Sequence, residues 1–168
     1  ASSFREARLA TNERAWKGVY SLVSAIGLGL IIWGWILYRG DAPQIFEPPA
    51  WGRHAAMALV LVAFILLASY KLPPGRIRVY LKHPFLVGIM LWSIGHLLVN
   101  GDLASLLLFG SFLVYAVANR MAVIPRGNPA PVIVRPRSDL IAVVSGIALY
   151  IVFVLWLHGW LFGVSPIA

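Results

Sequence analysis

His96 is the residue whose type and place point most directly to chemistry. It lies inside the apolar run 85–99. An ionisable side chain at membrane depth is costly and is usually kept for function. His54, His83 and His158 complete the histidine set, and the chain has no cysteine. Disulfides, thiolate metal sites and a thiol nucleophile are therefore excluded. The sequence also lacks a Walker loop, a dinucleotide fingerprint, a Ser-His-Asp set and a zinc-spaced ligand pair. What remains is imidazole chemistry, above all ligation of a metal or haem iron.

The elements that must position these rings are membrane helices. Of the 168 residues, 60% are hydrophobic and only 12% charged, and the mean hydropathy is +0.82. Apolar runs of about 20 residues recur, the length that crosses a bilayer as helix. Trp and Tyr gather toward the ends of those runs, as in an interfacial aromatic belt. The reading is an all-α polytopic membrane bundle, a single domain over 1–168. A polar segment, 1–15, able to lie as a helix at the membrane surface, precedes five transmembrane helices at 16–38, 53–70, 84–99, 103–118 and 140–164. The loop 39–53 carries Pro43, Pro48 and Pro49, the connector 71–82 carries Pro73-Pro74-Gly75, and 119–139 is rich in Pro and Arg. These stretches resist long regular structure.

Spans three and four form a tight hairpin. Pro84 suits a first helical turn, Asn100-Gly101 suits a helix end, and Asp102 suits the N-cap of the next helix. Residues 85–99 would rise only about 22 Å against a hydrocarbon core of roughly 30 Å. The turn is thus expected low in the interface or beside a cavity. Gly88 and Gly95, seven apart, share a face and predict close helix contact, as do Ser24 and Gly27.

The net charge of +8 could suggest nucleic acid, but its placement argues for orientation in a membrane. Four cations (Arg5, Arg8, Arg14, Lys17) precede or open the first span, and only Arg39 and Arg53 flank the next loop. Lys71, Arg76, Arg78 and Lys82 fill the connector, and Arg120, Arg126, Arg135 and Arg137 fill the last loop. No cation lies in the hairpin turn or after the final span. This alternation predicts a cytoplasmic N-terminus and an outward-facing C-terminus, with membrane lipid as the partner of the basic face. It also sorts the histidines. His54, His96 and His158 fall toward the outer side, whereas His83 is cytoplasmic and about 20 Å from His96 along one helix.

Each ring has a plainer reading beside a chemical one. His158 stands between Trp156 and Trp160, which favours an aromatic girdle. His83 precedes a proline at a helix start, and His54 follows Arg53 at a span boundary. Asp102 could orient His96 or simply cap its own helix, the second being the safer reading. Arg39 and Arg53 could meet propionates or serve as interfacial anchors. A bis-histidine haem needs two imidazoles from different helices at one depth, and antiparallel helices could bring His54, His96 and His158 together in that way.

Several stretches resemble the NnrU family of bacterial membrane proteins, which is related to the plant 15-cis-zeta-carotene isomerases. They are His83-Pro84, Leu91-Trp92, His96-Leu97-Leu98, Asn100-Gly101-Asp102-Leu103-Ala104-Ser105, Leu108-Phe109-Gly110 and, upstream, Trp16-Lys17-Gly18 with Tyr20-Ser21-Leu22-Val23-Ser24. The resemblance implies a haem b with His96, in Trp92-Ser93-Ile94-Gly95-His96, as an axial ligand. It leaves His54, a missing helix or a partner chain to supply the second. A cysteine stands in the plant enzymes where Ser93 stands here, and serine cannot replace a soft thiolate on iron. Family members normally begin with one further hydrophobic helix bearing a histidine. That helix is expected to be absent here, either because the sequence is a fragment or because this member lacks it.

Three function classes follow as expectations. One is a haem-dependent cis-trans isomerase acting on a carotenoid-like polyene or a quinone-like apolar ligand. Another is a protein supporting nitrogen-oxide respiration. The third is a non-catalytic subunit bound to other membrane subunits. Nucleic acid is not an expected partner.

Overall fold

The computed structural model describes residues 2–124 and 133–167, with side chains from residue 14 onward. The described residues are almost entirely helical, without a strand. Part of the expected 119–139 loop, including Arg126, lies outside the described residues, as do the side chains of Arg5 and Arg8. The chain divides into two compact units, Ala1–Ala42 and Pro43–Ala168.

The first unit is one long helix, α1 (Ser2–Tyr38). Its portion Arg14–Tyr38 is long and apolar enough to cross a membrane. The polar residues expected to form a separate surface helix instead continue this helix without a break. At its end the Arg39 guanidinium sits 4.8 Å from the centroid of the Trp35 ring, a cation–π pairing suited to an interface. A Cβ at Gly27 would meet nothing within 4 Å, so this unit by itself gives no support to the close contact expected there.

The second unit is a bundle of α2 (Gly52–Lys71), α3 (Arg76–Leu81), α4 (Pro84–Leu97), α5 (Leu103–Val123) and α6 (Pro136–Val152). A π-helical turn (Phe153–Leu157) then leads into α7 (His158–Phe162). Counting α1, four apolar helices are long enough to span a membrane, and α4 is a shorter apolar one. α2 is central, packing on both α4 and α6, while α4 also packs on α5. The architecture is that of a membrane helix bundle.

Small residues make the contacts inside this unit. Ala56, Ala63, Ala116 and Ala142 are buried, as are Ser69, Ser93, Ser105 and Ser138. A Cβ at Gly88 would stand 3.2 Å from the Ala63 carbonyl oxygen, and one at Gly95 would stand 3.1 Å from Val60 Cγ2. Both glycines therefore face α2, as their spacing predicted. Gly146 does the same from α6, where a Cβ would come within 2.6 Å of Ile65 Cα. Large apolar residues such as Leu107, Val114, Leu140, Ile141 and Val144 lie exposed. In hydrocarbon such side chains cost nothing outside, so association relies on close backbone packing between small residues.

The hairpin turn is covered rather than bare. Pro43–Phe46, expected to be irregular, pairs antiparallel with the turn through an isolated bridge between Gln44 and Asp102. Ile45 N donates to Gly101 O at 2.8 Å, and Leu103 N donates to Pro43 O at 3.0 Å. Gly101 is required here because a Cβ would collide with the Phe46 carbonyl oxygen. Asp102 caps α5, its Oδ1 accepting from Ser105 N at 2.8 Å. Polar backbone at membrane depth must find its partners within the protein, and this strap supplies them. α4 has 14 residues and rises about 21 Å, and its end comes level with the start of α2, where Gly52 abuts the Leu98 carbonyl oxygen.

The opposite end carries most of the unit's cations. The basic connector contains α3, whose first N–H groups are capped by a distant residue. Asp139 of α6 accepts from Arg76 N at 2.7 Å and from Ile77 N at 3.1 Å. Arg120 Nη1 donates to Leu81 O at 3.1 Å, and Arg78 Nη1 to Leu72 O at 2.9 Å.

Candidate functional site

His96 lies in the last turn of α4. Its backbone carbonyl there accepts from Asn100 N at 3.0 Å and from Asn100 Nδ2 at 2.8 Å. This arrangement ends the helix at the Asn-Gly signal and fixes the base of the ring. The ring itself is held on two sides. Its Nδ1–H donates to the Trp92 carbonyl oxygen one turn back, at 2.8 Å. Phe109 of α5 stacks on it, with centroids 4.5 Å apart and planes 24° apart. Trp92 adds a second aromatic wall at 4.9 Å and is itself packed edge-on by Phe109 and Phe112. With Nδ1 engaged as donor, the tautomer leaves the Nε2 lone pair for a ligand or a proton.

His158 occupies a comparable setting on the last helical arm of the unit. It begins α7 directly after the π-helical turn, and its backbone N–H donates to the Phe153 carbonyl. Its Nδ1–H donates to the Val164 carbonyl oxygen at 2.6 Å. Phe153 and Phe162 meet the ring edge-on at 5.9 and 5.1 Å. The centroids of the His96 and His158 rings are 6.5 Å apart, with planes 21° from parallel.

The other sequence candidates fall elsewhere. His54 is exposed in the first turn of α2. It stands near the level of the hairpin, since the neighbouring Gly52 abuts the Leu98 carbonyl oxygen. His83 precedes Pro84 at the start of α4, at the far end of that helix from His96. Asp102 is used as a cap, and the Trp92 carbonyl takes the orienting role considered for it. Arg53 is exposed beside His54. Ser93 is fully buried, and its hydroxyl has no partner among the described residues. As a neutral hard donor it offers nothing equivalent to a thiolate.

The donor set limits what could bind. Among the described residues, no group of three or more His, Asp, Glu or Cys side chains could hold a metal ion. A structural zinc site needs four protein ligands and a catalytic one three. One imidazole or a pair, by contrast, suits a haem, whose macrocycle supplies the other four positions. Backbone carbonyls holding Nδ1–H are the outer-shell partners that ligating histidines normally have. The residues present thus fit a haem.

Aromatic packing around His96 was only partly visible in the sequence. Trp92, four residues before it, is a neighbour on one helix face, but Phe109 arrives from the next helix. The convergence of His158 on His96 was foreseen from their equal depth, but an aromatic-girdle role was preferred for it; Gly163, just past α7, is a helix-stop signal that could have revealed the returning chain.

The family model described as NnrU protein matches residues 1–166, essentially the whole chain. No curated protein and no solved structure matches the chain.

Proposed function

The chain belongs to the NnrU family, and on that premise we propose that it is a haem-carrying protein of the bacterial inner membrane. The group would be haem b, held by the His96 imidazole. The observation that carries this reading is the fixed tautomer of His96: inside an apolar helix, its Nδ1–H is held by the Trp92 carbonyl, while Phe109 holds the ring plane.

When bound, the haem supplies a redox-active iron that, in its ferrous form, lowers the barrier to rotation about a conjugated double bond. The chain's own residues provide the setting. The Trp92 carbonyl fixes the tautomer and direction of the imidazole. Phe109, Trp92 and Phe112 exclude water and give an apolar wall. A lipid-soluble polyene meets such a wall from the bilayer without losing hydration. The reading is therefore a cis-trans isomerase acting on a carotenoid-like substrate. A role in nitrogen-oxide respiration shares the haem and differs in what the iron serves.

The cation-bearing end of the second unit is assigned to the cytoplasm. Lys71, Arg76, Arg78 and Lys82 gather in the α2–α4 connection, with Arg120 and Asp139 tying α5 and α6 to α3. Such an excess on one side sets orientation. His96 then lies toward the periplasmic side.

The test is the absorption spectrum of the protein purified from membranes in detergent. A Soret band that shifts on reduction is expected. A colourless protein that also fails to take up added haem would leave the reading of a non-catalytic subunit.

A further inference from the structure

A haem held by His96 would have a second axial position open to a ligand, and another histidine of this chain stands beside His96. We propose that His158 is that ligand, so that α4 and the α6–α7 arm hold the iron from its two sides. The proposal rests on the haem reading above and names the other half of the site.

Three observations support it. First, the two rings are neighbours in space, 6.5 Å between centroids and 21° from parallel. Metal–imidazole nitrogen bonds are about 2.0–2.1 Å long. Two such bonds and the two ring half-widths add up to a separation of this order. Second, the two imidazoles are prepared in the same way. Each donates Nδ1–H to a backbone carbonyl, Trp92 for His96 and Val164 for His158. That leaves Nε2 as the lone-pair nitrogen on both, the form in which histidine ligates. Third, the local backbone departs from a regular helix where it must to deliver His158.

That departure has two parts. The π-helical turn Phe153–Leu157 adds a residue to the helix immediately before His158. One extra residue rotates everything after it by about 100°. Phe64 of α2 packs on Phe153 at 5.5 Å and on Tyr150 at 6.0 Å, which holds the turn in place. After α7, Gly163 takes a left-handed conformation at φ 71° and donates its N–H to Gly159 O at 2.9 Å. This reversal brings the Val164 carbonyl back to the His158 ring. Turns of the π type occur often at functional sites. Here the turn and the glycine together act on one side chain. Neighbouring Trp156 and Trp160 are exposed and behave as the aromatic girdle read from the sequence, but His158 between them turns inward. His54, the earlier candidate, is exposed in the first turn of α2.

The test uses the full chain in detergent, loaded with ferric haem and read by absorption and electron paramagnetic resonance. Wild-type protein is expected to be low-spin. His158→Gly should become high-spin, and added imidazole should restore the low-spin signal. That rescue separates a vacated ligand position from a collapsed fold. His54→Gly should remain low-spin. Gly163→Val, strained at a positive φ, should give a mixture of both forms that imidazole converts to low-spin. If haem binds and His158→Gly stays low-spin, the inference fails while the haem reading stands. High-spin His54→Gly, or a loss in His158→Gly that imidazole does not reverse, has the same consequence. Wild-type protein that takes up no haem overturns both.

Discussion

Gly95 of α4 lies directly against Ala56 of α2: a Cβ on Gly95 would stand 3.3 Å from the Ala56 carbonyl oxygen and 3.1 Å from Val60 Cγ2. The next residue is His96. Successive helical residues differ by about 100°, so seating Gly95 on α2 aims His96 away from α2 and toward Phe109. Gly95→Leu should force the two backbones apart, at a cost of about 1–3 kcal/mol for overpacking. Gly88→Leu should behave alike, because Gly88 faces Ala63 and Leu66. Gly110→Leu meets nothing within 4 Å and should be neutral. Thermal unfolding in detergent distinguishes them. Equal stability of all three variants would contradict the packing described.

Asp102 is a second point of local control. Its carboxylate caps α5 through Ser105 N, and its backbone pairs with the strap at Gln44. Asp102→Ala should cost about 1 kcal/mol, as for other lost N-caps, whereas Asp102→Asn should cost less. Because the Trp92 carbonyl, not Asp102, orients His96, neither variant should change the spin state of bound haem. A changed spin state would mean that the carboxylate acts on the imidazole.

Much of this architecture was legible because bilayer physics leaves few choices. Apolar runs had to be helices, Pro84 and Asp102 marked helix starts, and the spacing of Gly88 and Gly95 marked the contact face. What was not legible depends on residues far apart in sequence. α3 lies in a stretch read as an irregular connector, and its N-terminal groups are capped by Asp139 of α6. The strap Pro43–Phe46 is proline-flanked and reads as loop, and its pairing needs Gly101, which has no Cβ to obstruct it. Within the site, His96 was legible from its apolar surroundings alone. The depth of His158 was legible from the topology, but its direction was not, because it depends on a π-helical turn that no periodicity signals.

Orientation makes a separate prediction. A reporter fused to the C-terminus should be active in the periplasm, and one inserted in the 119–139 loop should be active in the cytoplasm. Replacing Arg76, Arg78 and Lys82 with Gln should weaken that preference, since positive charge near span ends sets it. The opposite result for both reporters would invert the assignment of His96 to the periplasmic side.

The most direct measurement is the spectrum of His96→Ala beside wild type, both purified from membranes and matched for helical content by circular dichroism. The account expects wild-type protein to show low-spin haem, and His96→Ala to lose the haem or its low-spin signal while remaining a folded membrane protein. A haem-loaded wild type whose spectrum is unchanged in His96→Ala would show that His96 is not a ligand and would contradict the account.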